Sequence, residues 1–179
     1  MVIGMKKLNK GKIELKDSYF DGYEYKGYKV KTKLAIEGQN EYKPLQISGP
    51  ADVYNAFKNL GTSDKERFYS VLLDAKNKVV GVEMVSQGSV NGAPVHPREV
   101  YKSALLASAY AVIFVHCHPS GDPDHSESDR RITEQLQEVG ELMGIEVLDH
   151  VIVGRGEFYS FADKGELCGK NRNSPTNLK

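Results

Sequence analysis

Five consecutive apolar residues, Ala111 to Val115, run into a histidine pair in AVIFVHCH. A strand with one face in water alternates apolar and polar residues. A run without alternation has to be covered on both faces. The segment is therefore expected to be a buried central strand.

The flanking sequence supplies the covering elements. SGPADVYNAFKNL, residues 48–60, predicts a helix with Ser48 as its cap, Pro50 in its first turn and Val53, Phe57 and Leu60 as its apolar stripe. Arg67 to Leu73 and Val79 to Val85 predict a hairpin closed by Asp74-Ala75-Lys76-Asn77. A loop is expected over 86–95. Pro97 then opens a helix over 98–110, whose alanines suit close packing on a sheet. Ile132, Leu136, Val139 and Met143 recur at helical spacing in a helix over about 127–143, which Gly144 can stop. Ile145 to Val153 and Glu157 to Phe161 predict a closing strand pair. The sum is a mixed sheet packed with helices, α/β or α+β.

At 179 residues the chain fits one domain of ordinary size with a small extension. We expect the domain over 48–168, a Lys/Tyr-rich extension over 1–47 and a polar tail over 169–179. Within the extension, 12–35 predict short strands turned at Asp21-Gly22 and Lys26-Gly27, and 37–46 a linker or irregular edge. The charge balances, with 24 basic and 24 acidic residues, so no global basic field points to nucleic acid. Residues 1–50 nevertheless hold ten lysines against six acidic residues, with five tyrosines. Such an arm suits nucleic acid, with cations for phosphate and rings for stacking. A solvated strand pair accounts for the same composition and is the preferred reading. Two widely spaced cysteines make no disulfide framework, so a reducing cytoplasm is expected. The N-terminal residues lack the apolar core of a signal peptide, and no run reaches bilayer length, so no membrane partner is expected.

The chemistry concentrates in HCHPSGDPDHSESD, residues 116–129. In a strand, His116 and His118 point to one side and Cys117 to the other. Pro119 to Pro123 turn the chain, and Asp129 falls in the first turn of the next helix. Two imidazoles and a carboxylate suit zinc with one position left for water, although iron or manganese would also accept them. A strand end, a turn and a capped helix explain the same residues: Ser126-x-x-Asp129 resembles a capping box with Asp in place of Glu or Gln. Glu83, in the apolar strand VVGVEMV, is the best candidate for moving a proton. Taken alone, Glu83 is better explained by solvent exposure of one strand face.

The ordered set Glu83, His116-x-His118-Pro119 and Ser126-x-x-Asp129 resembles the JAMM signature of MPN/JAB-domain metalloproteins. GSVNGAPVHPREVYKSAL, HPSGDPDHSESD and LDHVIVGRGEFYSFADKG bring the resemblance closer to the RadC family, over about 48–168. It implies an MPN/JAB fold, a mixed sheet with flanking helices similar to the cytidine deaminases. It further implies one zinc ion on His116, His118 and Asp129, with Glu83 catalytic and Ser126 near the developing oxyanion. The activity implied is zinc-dependent hydrolysis of an amide, peptide or isopeptide bond, with a peptide or protein as substrate. A DNA-binding role in repair or recombination and a non-catalytic interaction module are the alternatives. Cys117 stands where the pattern usually has Asn, and His125 where Pro or Thr is typical; neither is taken as a ligand. Longer members carry an N-terminal helix-hairpin-helix region, and nothing in 1–47 looks like it. His96 and Arg98 are read as cleft or capping residues. Asp149 and His150 are read as a buried polar pair without a catalytic role.

Overall fold

A computed structural model describes residues 6–7, 13–14, 45–88 and 95–167. The chain divides into two compact units, residues 1–37 and 38–179. In the first, β1 (Lys6–Lys7) pairs antiparallel with β2 (Ile13–Glu14), setting Lys6 opposite Glu14. The turns expected at Asp21-Gly22 and Lys26-Gly27 lie outside the described residues, as do most of the 37–46 linker, positions 89–94 and the 169–179 tail.

The second unit is a five-stranded mixed sheet between helices. Its elements are α1 (Pro50–Phe57), a 3-10 turn (Lys58–Thr62), β3 (Arg67–Leu73), β4 (Val79–Gln87), α2 (Pro97–Leu106), β5 (Ala111–Cys117), α3 (Glu127–Met143), β6 (Glu146–Val153) and β7 (Phe158–Ser160). The strand order is β4-β3-β5-β6-β7. Only β5 and β6 run parallel, and α3 makes the crossover that a parallel pair requires.

The apolar run behaves as its composition demands. β5 is central and buried at every position. Ala111, Ile113, Val115 and Cys117 face a core shared with Val53 of α1 and with Val71, Leu73, Val151 and Val153. Val112 and Phe114 face the other core, with Phe68, Leu72, Val100, Tyr101, Ala104 and Leu136. Strand alternation therefore aims His116 into the layer of α2 and α3 and Cys117 into the layer of α1. Tyr101 joins those two helices, its buried hydroxyl donating to Leu136 O at 2.6 Å.

Several local expectations need correction. Gly49, not Ser48, holds the cap position of α1; there is no side-chain cap, and the Asp52 carboxylate accepts from Ser48 N–H at 2.8 Å instead. The helix expected over 98–110 leaves helical geometry after Leu106, because Ser108 turns left-handed at φ 52° and Tyr110 N–H is claimed by Leu73 O of the sheet. Ser86 and Gln87 continue β4 rather than starting a loop, and Gln87 accepts from Arg67 Nε at 3.1 Å. β7 is three residues, shorter than the expected 157–161. α3 has the expected limits: Ser126 and Asp129 form a complete capping box, and Gly144 closes the helix at φ 69°.

Candidate metal centre

β5 ends the chain's passage through the sheet with His116 buried and His118 just past the strand, partly exposed. The turn after it is tight. Gly121 takes a positive φ of 77°, a conformation that glycine adopts without strain, and its N–H donates to His118 O at 2.9 Å. The turn delivers Ser126 to the start of α3 and Asp129 to its first turn, beside the strand end.

Three side chains meet there. The two Nε2 atoms of His116 and His118 lie 2.9 Å apart. His116 Nε2 is 3.3 Å from Asp129 Oδ1, and His118 Nε2 is 3.4 Å from Asp129 Oδ2. One donor atom from each residue falls within 4.8 Å of the others, a group able to hold a metal ion. Burial pushes the Asp129 carboxyl up, but the His116 and His118 rings beside it, which can donate from Nε2 when protonated, outweigh it and hold the group well below the usual carboxylate range. The Asp129 hydrogen bond in turn raises the pKa of His118, against the opposing effect of burial.

The capping and ligand readings of 126–129 coexist. Asp129 Oδ2 accepts from Ser126 N–H and from Ser126 Oγ, both at 2.7 Å, while Ser126 Oγ accepts from Asp129 N–H at 3.2 Å. The cap thus fixes the carboxylate that faces the imidazoles.

Both imidazoles are held from behind. His118 Nδ1 lies 2.8 Å from Asp122 O. A carbonyl oxygen can only accept, so Nδ1 carries a proton, and in the neutral ring Nε2 presents its lone pair. His116 Nδ1 lies 2.8 Å from His150 Nε2 of β6, and His150 Nδ1 lies 2.6 Å from Thr133 Oγ1 of α3. Thr133 Oγ1 donates back one turn to Asp129 O at 2.5 Å. His150 is fully enclosed by Phe68, Phe114 and Phe161, with the Phe161 ring stacked on it at 5.1 Å, and burial drives its pKa well below the ordinary value.

The expected Asp149–His150 pair is therefore different in kind. Adjacent strand residues face opposite ways. The Asp149 carboxylate accepts from Ser160 Oγ at 2.7 Å, Ala162 N at 3.0 Å and the backbone N–H of His150 at 2.7 Å. Its pKa is raised by burial. The imidazole of His150 goes to the metal-ligand layer. The available signal was a histidine beside Asp149 in the otherwise apolar LDHVIV; Thr133 gave none, sitting at an ordinary helix position.

The remaining sites separate. Glu83 pairs across the sheet with Ser70, and Phe68, two residues back, pairs with His116. Glu83 is thus on the same sheet face as His116, two strands over. It makes no hydrogen bond or ion pair with the three ligand candidates; its Oε2 and the Ser70 hydroxyl are both buried without a partner among the described residues. Cys117 lies on the opposite face, its thiol 3.6 Å from Lys65 O and its pKa raised by burial. His125 accepts from Arg130 at 2.9 Å and packs on Tyr159, and Arg130 also meets Glu166 at 2.9 Å. His96 caps α2, accepting from Arg98 N–H at 3.3 Å.

Residues 47–166 match the family model described as RadC-like JAB domain. A UPF0758 protein of Methanosarcina mazei is 49% identical over 121 residues, covering 67% of this chain and 53% of that protein. One from Trichlorobacter lovleyi is 48% identical over 123 residues, covering 68% and 54%. One from Symbiobacterium thermophilum is 53% identical over 104 residues, covering 58% and 44%. The chain spans about half the length of these curated relatives.

Proposed function

The chain belongs to the RadC-like JAB domain family, and from that premise we propose that it is a zinc-dependent hydrolase acting on an amide, peptide or isopeptide bond. The observation that carries the reading is the meeting of His116, His118 and Asp129 donor atoms within 4.8 Å, with both imidazole Nδ1 atoms engaged elsewhere. Two nitrogens and one carboxylate oxygen fit zinc with a position left open. When bound, zinc supplies a Lewis acid and lowers the pKa of its water.

The chain's own residues do the rest. Asp129 and the two histidines form the ligand set, held in place by the cap and by the acceptors behind the rings. Glu83 takes the proton of the attacking water and returns it to the leaving nitrogen. Its unpartnered buried oxygen supports that role, since such a group needs a partner that substrate or water can supply. Ser126 donates to the developing oxyanion, for which its hydroxyl must leave Asp129 Oδ2. The substrate proposed is a peptide or protein, and no residue of 1–47 is given a part in this chemistry. A reducing cytoplasm is the compartment proposed; among the described residues no helix is long and apolar enough to cross a membrane.

The test is Glu83→Gln, assayed against a panel of peptide and isopeptide-linked substrates alongside metal analysis. We expect one zinc per chain in both proteins and hydrolysis by the wild type alone. Full turnover in a zinc-loaded variant would overturn the assignment. The second reading, a DNA-associated protein, has its support in the ten lysines of residues 1–50. Salt-dependent DNA binding that disappears on deleting residues 1–47 would favour it.

A further inference from the structure

His150 and Thr133 touch no open space, yet they connect directly to the ligand set. Proton bookkeeping along their contacts has a single consistent solution. Asp129 O is a backbone carbonyl and can only accept, so the one hydroxyl proton of Thr133 goes to it. Thr133 Oγ1 then has only lone pairs left for His150, so His150 Nδ1 carries a proton and donates at 2.6 Å. A neutral His150 must accept at Nε2, which lies 2.8 Å from His116 Nδ1. His116 Nδ1 therefore holds the proton of that ring, and its Nε2 carries a lone pair.

We propose that Thr133 and His150 are positioning residues that set the tautomer of His116, so that its Nε2 enters the centre free to bind a cation. The series begins at a helix carbonyl, crosses from α3 to β6 and ends on β5, so three elements fix one lone pair. His118 reaches the same state by a shorter route, through Asp122 O. With both rings neutral, as metal binding requires, the outcome is two lone pairs facing each other at 2.9 Å, beside a carboxylate. That arrangement is repulsive without a positive charge between its members, which is what a cation site requires. The reverse order would be harmful: a His150 donating from Nε2 would force the His116 proton onto Nε2, where an ion has to bind.

This inference rests on the reading of His116, His118 and Asp129 as a metal site, and the experiment separates the two. Zinc affinity of the full chain is measured by competition with a chromophoric chelator in wild type, Thr133→Val, Thr133→Ser and His150→Phe. Partners that orient a ligating histidine typically change affinity by about 10–100-fold. We expect about that loss in Thr133→Val and His150→Phe, and near wild-type affinity in Thr133→Ser, which keeps the hydroxyl. Wild type that binds no zinc refutes the metal site and the inference with it. Wild type and Thr133→Val binding equally well refutes the inference alone, as does a Thr133→Ser variant as weak as Thr133→Val. Nitrogen-15 NMR of the zinc-loaded wild type gives a reading that needs no variant to fold. His150 should show a protonated Nδ1 and an unprotonated Nε2; the opposite tautomer overturns the proposal.

Discussion

Gly140→Ala is a substitution whose sign depends on which level of structure is consulted. Gly140 lies inside α3, where alanine is favoured over glycine by about 1 kcal/mol. A Cβ at this position would sit 2.5 Å from the Tyr101 hydroxyl oxygen and 2.7 Å from Ile145 O, both closer than van der Waals contact allows. Neither neighbour yields cheaply. Ile145 O is backbone, and the Tyr101 hydroxyl is buried in its bond to Leu136 O. Displacing that hydroxyl leaves a buried donor unpaired, at about 1–3 kcal/mol. Overpacking adds about 1–3 kcal/mol. After the helix gain of about 1 kcal/mol, the variant should be about 1–5 kcal/mol less stable than wild type, with a central value of about 3 kcal/mol. The chain has no tryptophan, so far-UV circular dichroism in urea is the suitable assay. At the central value of about 3 kcal/mol and a urea slope of about 2 kcal/mol per molar, the midpoint should fall by about 1.5 M. Tyr101→Phe removes the closest contact, so Gly140→Ala should cost less in that background. A Gly140→Ala protein as stable as wild type would refute the crowding argument. A coupling to Tyr101 below about 0.5 kcal/mol would show that the hydroxyl is not the obstacle. The result bears on the centre as well, because α3 carries Asp129 and Thr133 from its other end.

Ser126→Ala should lower the stability of the metal-free protein by about 1 kcal/mol through loss of the cap, read in the same urea assay; unchanged stability would mean that the capping box contributes nothing measurable. The metal-free centre should also have its own pH optimum. Asp129 is depressed from 3.8, so its contribution is present above that value and is lost as pH falls through its lower folded pKa; His118 is raised from 6.5, so its contribution is present below that value and is lost as pH rises through its higher folded pKa. Urea stability in chelator should therefore gain most from this pair between pH 3.8 and 6.5, and Asp129→Asn should remove the gain. Zinc stabilisation should run the other way and grow as pH rises, because the imidazoles must lose protons to bind metal.

The features that the sequence predicted well are those governed by neighbours along the chain. The covered run of β5 follows from five apolar residues without alternation, and the limits of α3 follow from Ser126, Asp129 and Gly144. The turn at Asp74 to Asn77 closes through Asp74 Oδ1, which accepts from Lys76 and Lys78 N–H. The same locality makes His116, His118 and Asp129 visible as a set, since a strand end, a short turn and one helical turn bring them together. Where the local rules failed, a contact distant in sequence had prevailed. α2 stops early because Leu73 of the sheet claims Tyr110, and β4 runs on because Gln87 finds Arg67.

Packing alone decided the layer behind the ligands. His150 is 34 residues from His116 and 17 from Thr133, and no spacing rule links them. Their meeting depends on β5 and β6 lying side by side in parallel, with α3 laid across one face. Strand alternation dictated that Asp149 and His150 face opposite ways, but not which layer would receive each. A sequence can name donors and acceptors from residue type; which acceptor each donor finds is settled when the elements pack and water is excluded. HCHPSGDPDHSESD by itself determined the three groups able to hold a metal ion. The tertiary structure determined that the buried ring of His150 stands behind His116 and that Thr133 governs which of its nitrogens carries the proton.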